Sequence, residues 1–149
     1  MSDLSKRTLS LERTFDAPLD LVWKAWTDPI HIAKWWGPKG METTIIEHDF
    51  KVGGKWKYSM QMPDGGVFIA EGMYSEIIEK QKIVTSADFK PMTEGVTLVI
   101  EFEADGEKTK FNFSVIHATE EYCLQQEKMG FYNGWASTFE RLNEFLIGG

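Results

Sequence analysis

The sequence predicts an α+β fold in which a curved antiparallel β-sheet packs around one long C-terminal helix. Two observations predict this class. Apolar side chains recur with a period of two over much of residues 43–117, and with a helical period after residue 130. A sheet and one amphipathic helix bury both of their apolar faces most economically when the sheet wraps around the helix.

The first 40 residues predict a strand followed by two short helices. Apolar and polar residues alternate over residues 8–15, as in a half-buried strand. Pro18 stands near the first turn of a helix, where its missing N–H costs nothing. Asp28 then caps a second short helix that begins at Pro29 and ends within the motif WWGP at residues 35–38.

A β-hairpin is predicted where the tetrapeptide PDGG, residues 63–66, separates two alternating runs. We expect this turn to place Met62 opposite Val67. The side chains on one face of the first strand then continue on the same face of the second. With this register the inward residues are Trp56, Tyr58, Met60, Val67, Ile69, Glu71 and Met73.

Three further strands are predicted at about residues 82–89, 96–104 and 108–117. A turn at Asp105-Gly106 pairs Ile100 with Phe111, which keeps one apolar face, and His117 ends that face. The long helix follows. Its apolar stripe has spacings of three and four and comprises Phe131, Trp135, Phe139 or Thr138, Leu142, and Phe145 or Leu146.

The composition is that of an ordinary globular protein with a high aromatic content. The chain has 149 residues, a formal net charge of −7 and 13% aromatic residues. We expect one domain spanning residues 1–149. The acidic balance argues against nucleic acid and anionic membranes as partners, because both require clustered Lys and Arg. Without an apolar span or a signal-peptide core, the chain is expected to be cytoplasmic.

No cofactor, metal or catalytic nucleophile is predicted. Cys123 is the one cysteine of the sequence, and the three histidines are widely separated. Neither arrangement has the spacing of a metal site. A Gly-x-Ser-x-Gly motif is absent, and the glycine pairs lie in turns between strands rather than ahead of a helix.

A sheet wrapped around a single helix leaves room for an apolar cavity. The tryptophan pair of the WWGP motif would lie at the open end of the sheet, either as plain packing or with Trp36 also contacting a ligand. Glu71 and His117 are the polar candidates, with ordinary surface or structural roles as the alternatives. The expected cavity-lining residues are Trp36, Trp56, Tyr58, Met60, Ile69, Glu71, Met73, Phe111, His117, Phe131 and Trp135.

Several short motifs occur in the order that a known family shows. They are RTFDAP at residues 13–18, VW at 22–23, WTDP at 26–29, WWGP at 35–38, GGKW at 53–56, PDG at 63–65, GMYSEI at 72–77 and GW at 134–135. The chain resembles the family of activators of heat-shock protein 90 ATPase, C-terminal-like (AHSA-like), within the START/Bet v 1-like (SRPBCC) superfamily. The resemblance implies a helix-grip fold with a seven-stranded antiparallel sheet.

The residues favour a protein that binds a small hydrophobic or aromatic molecule without catalysis. The resemblance adds two alternatives. One is a co-chaperone-like module whose partner is heat-shock protein 90 or another protein. The other is a cyclase- or hydratase-type enzyme, for which Tyr58, Glu71 and His117 are the acid–base candidates. The chain is expected to be a monomer or a weak homodimer.

Overall fold

The computed structural model describes residues 4–37, 42–62, 64–90, 93–128 and 130–148. The strands are β1 Thr8–Phe15, β2 Glu42–His48, β3 Lys55–Gln61, β4 Val67–Ile78, β5 Lys82–Lys90, β6 Thr93–Asp105 and β7 Lys108–Ile116. The helices are a 3-10 turn Leu4–Arg7, then α1 Leu19–Thr27, α2 Pro29–Trp35, α3 Glu120–Lys128 and α4 Phe131–Gly148. In the described part of the chain, no helix is long and apolar enough to cross a membrane.

The seven strands form one antiparallel sheet in the order β1-β7-β6-β5-β4-β3-β2. Bulges interrupt the ladders between β2 and β3, β4 and β5, and β5 and β6. An extra residue bends a strand and increases its twist, so these bulges curve the sheet. The predicted fold class, an α+β helix-grip arrangement, is confirmed.

The strand and the two short helices predicted near the start of the chain are confirmed within the described residues 4–37. Strand β1 has the predicted bounds. The Asp28 side chain accepts a hydrogen bond of 2.9 Å from the backbone N–H of Ile30, and Pro29 begins α2. Gly37 follows α2 with φ +90°, a conformation that only glycine adopts freely. Pro38, the last residue of the predicted stop, lies outside the described residues.

The predicted register of the β3–β4 hairpin is wrong by one residue. The backbone N–H of Met62 bonds the carbonyl of Gly66 at 2.8 Å, so Gly66 joins the ladder and Gln61 pairs with Val67. Pro63 of the predicted turn is outside the described residues. A slip of one residue turns every side chain of a strand to the opposite face.

The slip moves three predicted site residues, Ile69, Glu71 and Met73, to the outer face of the sheet. They pair with Ser59, Lys57 and Lys55, which alternate with the buried side chains of β3. A carboxylate oxygen of Glu71 lies 3.8 Å from the ammonium of Lys57. Met73 is 43% exposed. The inner face of β4 carries Phe68, Ala70, Gly72 and Tyr74 instead.

The predicted residue pairs between β6 and β7 are also wrong, but this error does not change which side chains point toward the core. Asp105 pairs with Lys108, so Ile100 lies opposite Phe113 and Phe102 lies opposite Phe111. This differs from the predicted register by two residues. Because side chains alternate with a period of two, the same apolar side chains still point inward.

The helix α3 was not predicted from the sequence. Its residues are mostly charged or amide-bearing, and Cys123 is its one buried residue. The Thr119 hydroxyl accepts a hydrogen bond of 3.1 Å from the Tyr122 backbone N–H, an N-terminal cap. Without an apolar stripe, the periodicity that reveals other helices is missing here.

The core lies between the inner face of the sheet and helices α1, α2 and α4. Trp135 and Phe139 of α4 contact Phe113 of β7, with ring centroids 4.5 and 5.1 Å away. From α1, Trp26 stacks on Phe111 at 5.5 Å. The long helix therefore packs on the inner face of the sheet through aromatic rings, as the fold class requires.

Candidate functional site

A small cavity lies among aromatic rings between the helices and the sheet, and its volume is about 20 Å³. That is room for about one water molecule. Its wall comes from α1, α2 and strands β3 to β6. The lining residues are Trp26, Ile32, Trp36, Trp56, Tyr58, Tyr74, Ile83, Thr85, Leu98 and Ile100.

Trp36 covers this cavity from the end of α2. Its indole makes edge contacts with Trp56, Tyr58 and Trp135 at centroid distances of 5.8, 5.2 and 6.0 Å. Its backbone carbonyl accepts hydrogen bonds from the Thr43 hydroxyl at 2.6 Å and from an Arg141 N–H at 3.2 Å. The residue thus links α2 to the sheet and to α4.

Trp35 has a different role, which is to complete the end of α1. The carbonyl of Ala25 would ordinarily accept from the N–H four residues later, but that residue is Pro29, which has no N–H. The indole Nε1 of Trp35 donates to this carbonyl instead, at 2.9 Å. Trp35 does not line the cavity, and it is fully buried. The two adjacent tryptophans therefore separate into one structural residue and one at the cavity.

A chain of polar groups runs from the end of α1 to the cavity. His48 Nε2 lies 2.8 Å from the carbonyl oxygen of Thr27, which can only accept, so Nε2 carries the hydrogen. Burial lowers the pKa of His48, which favours the neutral ring. Nδ1 then accepts from the Tyr58 hydroxyl at 2.8 Å. Tyr58 and Tyr74 both line the cavity.

The two tyrosines of the cavity wall, Tyr58 and Tyr74, are held in the protonated form. Burial raises the pKa of Tyr58 and of Tyr74 far above the usual value. Their hydroxyls therefore act as neutral hydrogen-bonding groups at the cavity wall. Neither has the pKa of a general base that works near neutral pH.

Trp56 is fixed in the wall by a second set of contacts. Its indole Nε1 donates to the Thr85 hydroxyl at 2.7 Å, and that hydroxyl can donate to the Met73 carbonyl at 3.0 Å. Gly72 lies beneath the indole. A Cβ at Gly72 would stand 3.0 Å from the Trp56 ring and would overlap the backbone carbonyl of Ser86.

Trp26 also lines the cavity, and its indole N–H has no partner in the part of the chain that the structure describes. The residue is 5% exposed, and Nε1 is buried without a hydrogen bond among the described residues. Aromatic rings of α2, β6 and β7 surround it. Nearly all buried polar groups in proteins are hydrogen-bonded, so this donor requires an explanation.

The structure brings together some of the predicted lining residues and separates others. Trp36, Trp56 and Tyr58 line the cavity, while Met60, Phe111, Phe131 and Trp135 are buried or half-buried without lining it. His117 stands apart. Its Nδ1 lies 3.1 Å from the carbonyl of Arg7, so it attaches the N-terminal turn to the end of β7. Ile69, Glu71 and Met73 are on the other face, as described above.

Sequence reasoning missed most of the wall from β4, β5 and β6. Tyr74 and Thr85 are the polar residues among those missed. The correct β3–β4 register would have revealed Tyr74, because it continues the alternation of the inner face. His48 and Trp26 have no sequence signal as site residues, since their roles depend on partners from other elements.

A larger open groove lies on the opposite, outer face of the sheet, with a volume of about 830 Å³. Its wall includes the charged side chains of Glu12, Lys82, Glu101, Glu103 and Lys110. This surface does not have the apolar lining typical of small-molecule sites. Within the described residues, no group of three or more His, Cys, Asp or Glu side chains could hold a metal ion.

Comparisons with known proteins agree with this fold. The family model described as "Activator of Hsp90 ATPase homolog 1-like protein" matches residues 16–146. Among solved structures, a protein of Nitrosomonas europaea is 27% identical with a TM-score of 0.84, and the match covers 97% of this chain and 96% of that one. A Mycobacterium smegmatis protein is 25% identical, with a TM-score of 0.87 and coverage of 99% and 96%.

A third structure, an AHSA1-like protein of Aeromonas hydrophila, is 21% identical with a TM-score of 0.77, and the match covers 95% of this chain and 92% of that one. At that identity it shows the fold alone. The search of curated proteins gave no match. Since the family model spans nearly the whole chain, the protein belongs to the family of activator of Hsp90 ATPase homolog 1-like proteins, within the START/Bet v 1-like superfamily.

Proposed function

We propose that this protein is a cytoplasmic, single-domain binding protein that holds a small apolar or aromatic molecule between α1, α2 and the inner face of the sheet. One observation carries the proposal. The cavity wall is aromatic and aliphatic, and it includes a few polar groups in fixed positions, among them Tyr74 and Thr85. Apolar walls with a small number of placed polar groups are typical of small-molecule sites.

A ligand must enlarge the cavity, because about 20 Å³ is too small for any organic molecule. Trp36 is the residue whose movement would open it, since its indole covers the cavity from the end of a seven-residue helix. A buried indole contributes about 4–6 kcal/mol at about 25 cal/mol/Å², for about 150–250 Å² of surface. A ligand that replaces the indole must therefore bury a comparable apolar area, which favours a flat ring system.

Binding of tetralin, a bicyclic aromatic hydrocarbon, tests the proposal. Ile100 lines the cavity, so Ile100→Phe fills it and should abolish binding at a cost to stability of about 1–3 kcal/mol. Ile46→Phe is the matched control, because Ile46 is 54% exposed on β2. We expect saturable binding by the wild type and by Ile46→Phe only. Binding that is absent from the wild type, or equal in both variants, contradicts the proposal.

The family description provides a second candidate, a protein that acts on heat-shock protein 90. Stimulation of the ATPase of that chaperone, or its recovery in a pull-down with this protein, would support this function. If neither is observed, this second candidate function is excluded.

Catalysis finds less support in the geometry. Of the three acid–base candidates, Glu71 lies on the outer face and His117 is hydrogen-bonded at the far end of β7. Tyr58 alone reaches the cavity, and its raised pKa keeps it protonated. Among the described residues, the three predicted acid–base candidates therefore do not come together at the cavity.

A further inference from the structure

We infer that the ligand of this cavity carries a neutral hydrogen-bond acceptor, such as a ketone or ester carbonyl, and that this acceptor binds the indole N–H of Trp26. The inference rests on the proposed function. It assigns a recognition role to a residue in the middle of the core, and it narrows the ligand from any apolar molecule to an apolar molecule with a carbonyl-type oxygen.

Among the described residues, Trp26 is the tryptophan whose buried indole N–H lacks a hydrogen bond. The Trp35 N–H donates to Ala25, and the Trp56 N–H donates to Thr85. Trp26 is also buried, with 5% of its surface exposed, yet its Nε1 has no partner among the described residues. An unsatisfied buried donor costs much of its desolvation energy, so a ligand that supplies an acceptor recovers that cost on binding.

The chemistry of the indole limits the partner to an acceptor. The indole N–H donates and has no lone pair to accept, so a ligand group that only donates cannot satisfy it. None of the described residues that line the cavity is Lys or Arg. A carboxylate or phosphate placed there would be desolvated without a countercharge, which is strongly unfavourable. The acceptor must therefore be neutral.

The cavity wall also positions such a ligand. Trp26 and Trp36 both line the cavity, with ring centroids 6.2 Å apart and planes at 87°. A flat molecule that displaces the Trp36 indole would lie next to Trp26. Its apolar body would be against the aliphatic side chains of Ile83, Leu98 and Ile100.

A pair of matched probes separates the acceptor from the apolar body. Tetralin and 1-tetralone share a bicyclic frame and differ by one ketone oxygen. The wild type should bind 1-tetralone about two- to tenfold more tightly than tetralin, the advantage expected of one hydrogen bond. Trp26→Phe should bind the two probes equally. Trp35→Phe, which alters an indole outside the cavity, should retain the preference for the ketone.

The indole ¹H–¹⁵N resonance of Trp26 in the wild type gives a second readout that does not depend on the folding of a variant. Adding 1-tetralone should move it downfield, and adding tetralin should not. Equal affinities of the wild type for both probes would overturn the inference while leaving the proposed function intact. So would a ketone preference that survives in Trp26→Phe. Failure of both probes to bind would contradict the proposed function itself.

Discussion

Two substitutions of the same kind, Trp35→Phe and Trp26→Phe, should differ in their effect on stability. Each replaces a buried indole of the core with a phenyl ring. Each also removes one indole N–H. The N–H of Trp35 donates to the Ala25 carbonyl at 2.9 Å, whereas that of Trp26 has no partner in the described part of the chain. Their comparison isolates the value of that hydrogen bond.

The difference can be worked out from the structure. A ring truncation of roughly 50 Å² costs about 1.3 kcal/mol at about 25 cal/mol/Å² in either variant. Trp35→Phe also leaves the buried carbonyl of Ala25 unpaired, which costs about 1–3 kcal/mol more, because Pro29 cannot replace the donor. Trp26→Phe instead removes an unsatisfied donor, which favours the folded state. We expect Trp35→Phe to be less stable than Trp26→Phe by about 2 kcal/mol or more.

Urea unfolding followed by far-UV circular dichroism measures this difference without relying on tryptophan emission. If the dependence of the unfolding free energy on urea concentration is the same in both variants, Trp35→Phe should unfold at a clearly lower urea concentration than Trp26→Phe. Equal midpoints, or a lower midpoint for Trp26→Phe, would refute the reasoning about both indoles.

Three further predictions concern titration, close packing and register. Burial lowers the pKa of His48 and of His117, so below about pH 6.5 the unfolded chain binds protons that the folded chain does not. The melting temperature should therefore fall as the pH falls from about 6.5, and less so in a variant with Asn at both positions. Gly72→Ala should cost about 3 kcal/mol or more in urea unfolding, because a Cβ would overlap the Ser86 carbonyl. Gly134→Ala, in open space within α4, should stabilise by about 1 kcal/mol. Met73→Glu should change the free energy of unfolding by less than about 0.5 kcal/mol, because this side chain faces solvent. A large loss of stability in Met73→Glu would instead favour the register predicted from the sequence, in which Met73 faces inward.

Local chemistry explains which parts of the fold could be predicted. The bounds of β1 follow from alternation, and the start of α2 follows from Asp28 and Pro29. The position of the hairpin after β3 could be predicted from the sequence, but the pairing register of its two strands could not. Adjacent Gly65 and Gly66 allow several turn lengths, and one residue decides which face Glu71 occupies. Helix α3 lacks the apolar stripe that would have revealed it.

The candidate site could be predicted only where it continues a strand alternation or ends a capped helix. Trp36, Trp56 and Tyr58 were found in this way, and they line the cavity. The role of His48 depends on a carbonyl at the end of α1, and that of Trp26 on a buried N–H with no partner among the described residues. These roles depend on contacts between residues far apart in the chain, and no local sequence pattern predicts such contacts.

Native mass spectrometry of freshly purified protein, with an organic extract of the same sample analysed alongside, tests the central claim most directly. The account predicts an excess mass that survives gentle desolvation, disappears on unfolding and matches an apolar compound with a carbonyl-type oxygen in the extract. A bare protein mass with no such compound in the extract would contradict the claim that the chain holds a small apolar ligand.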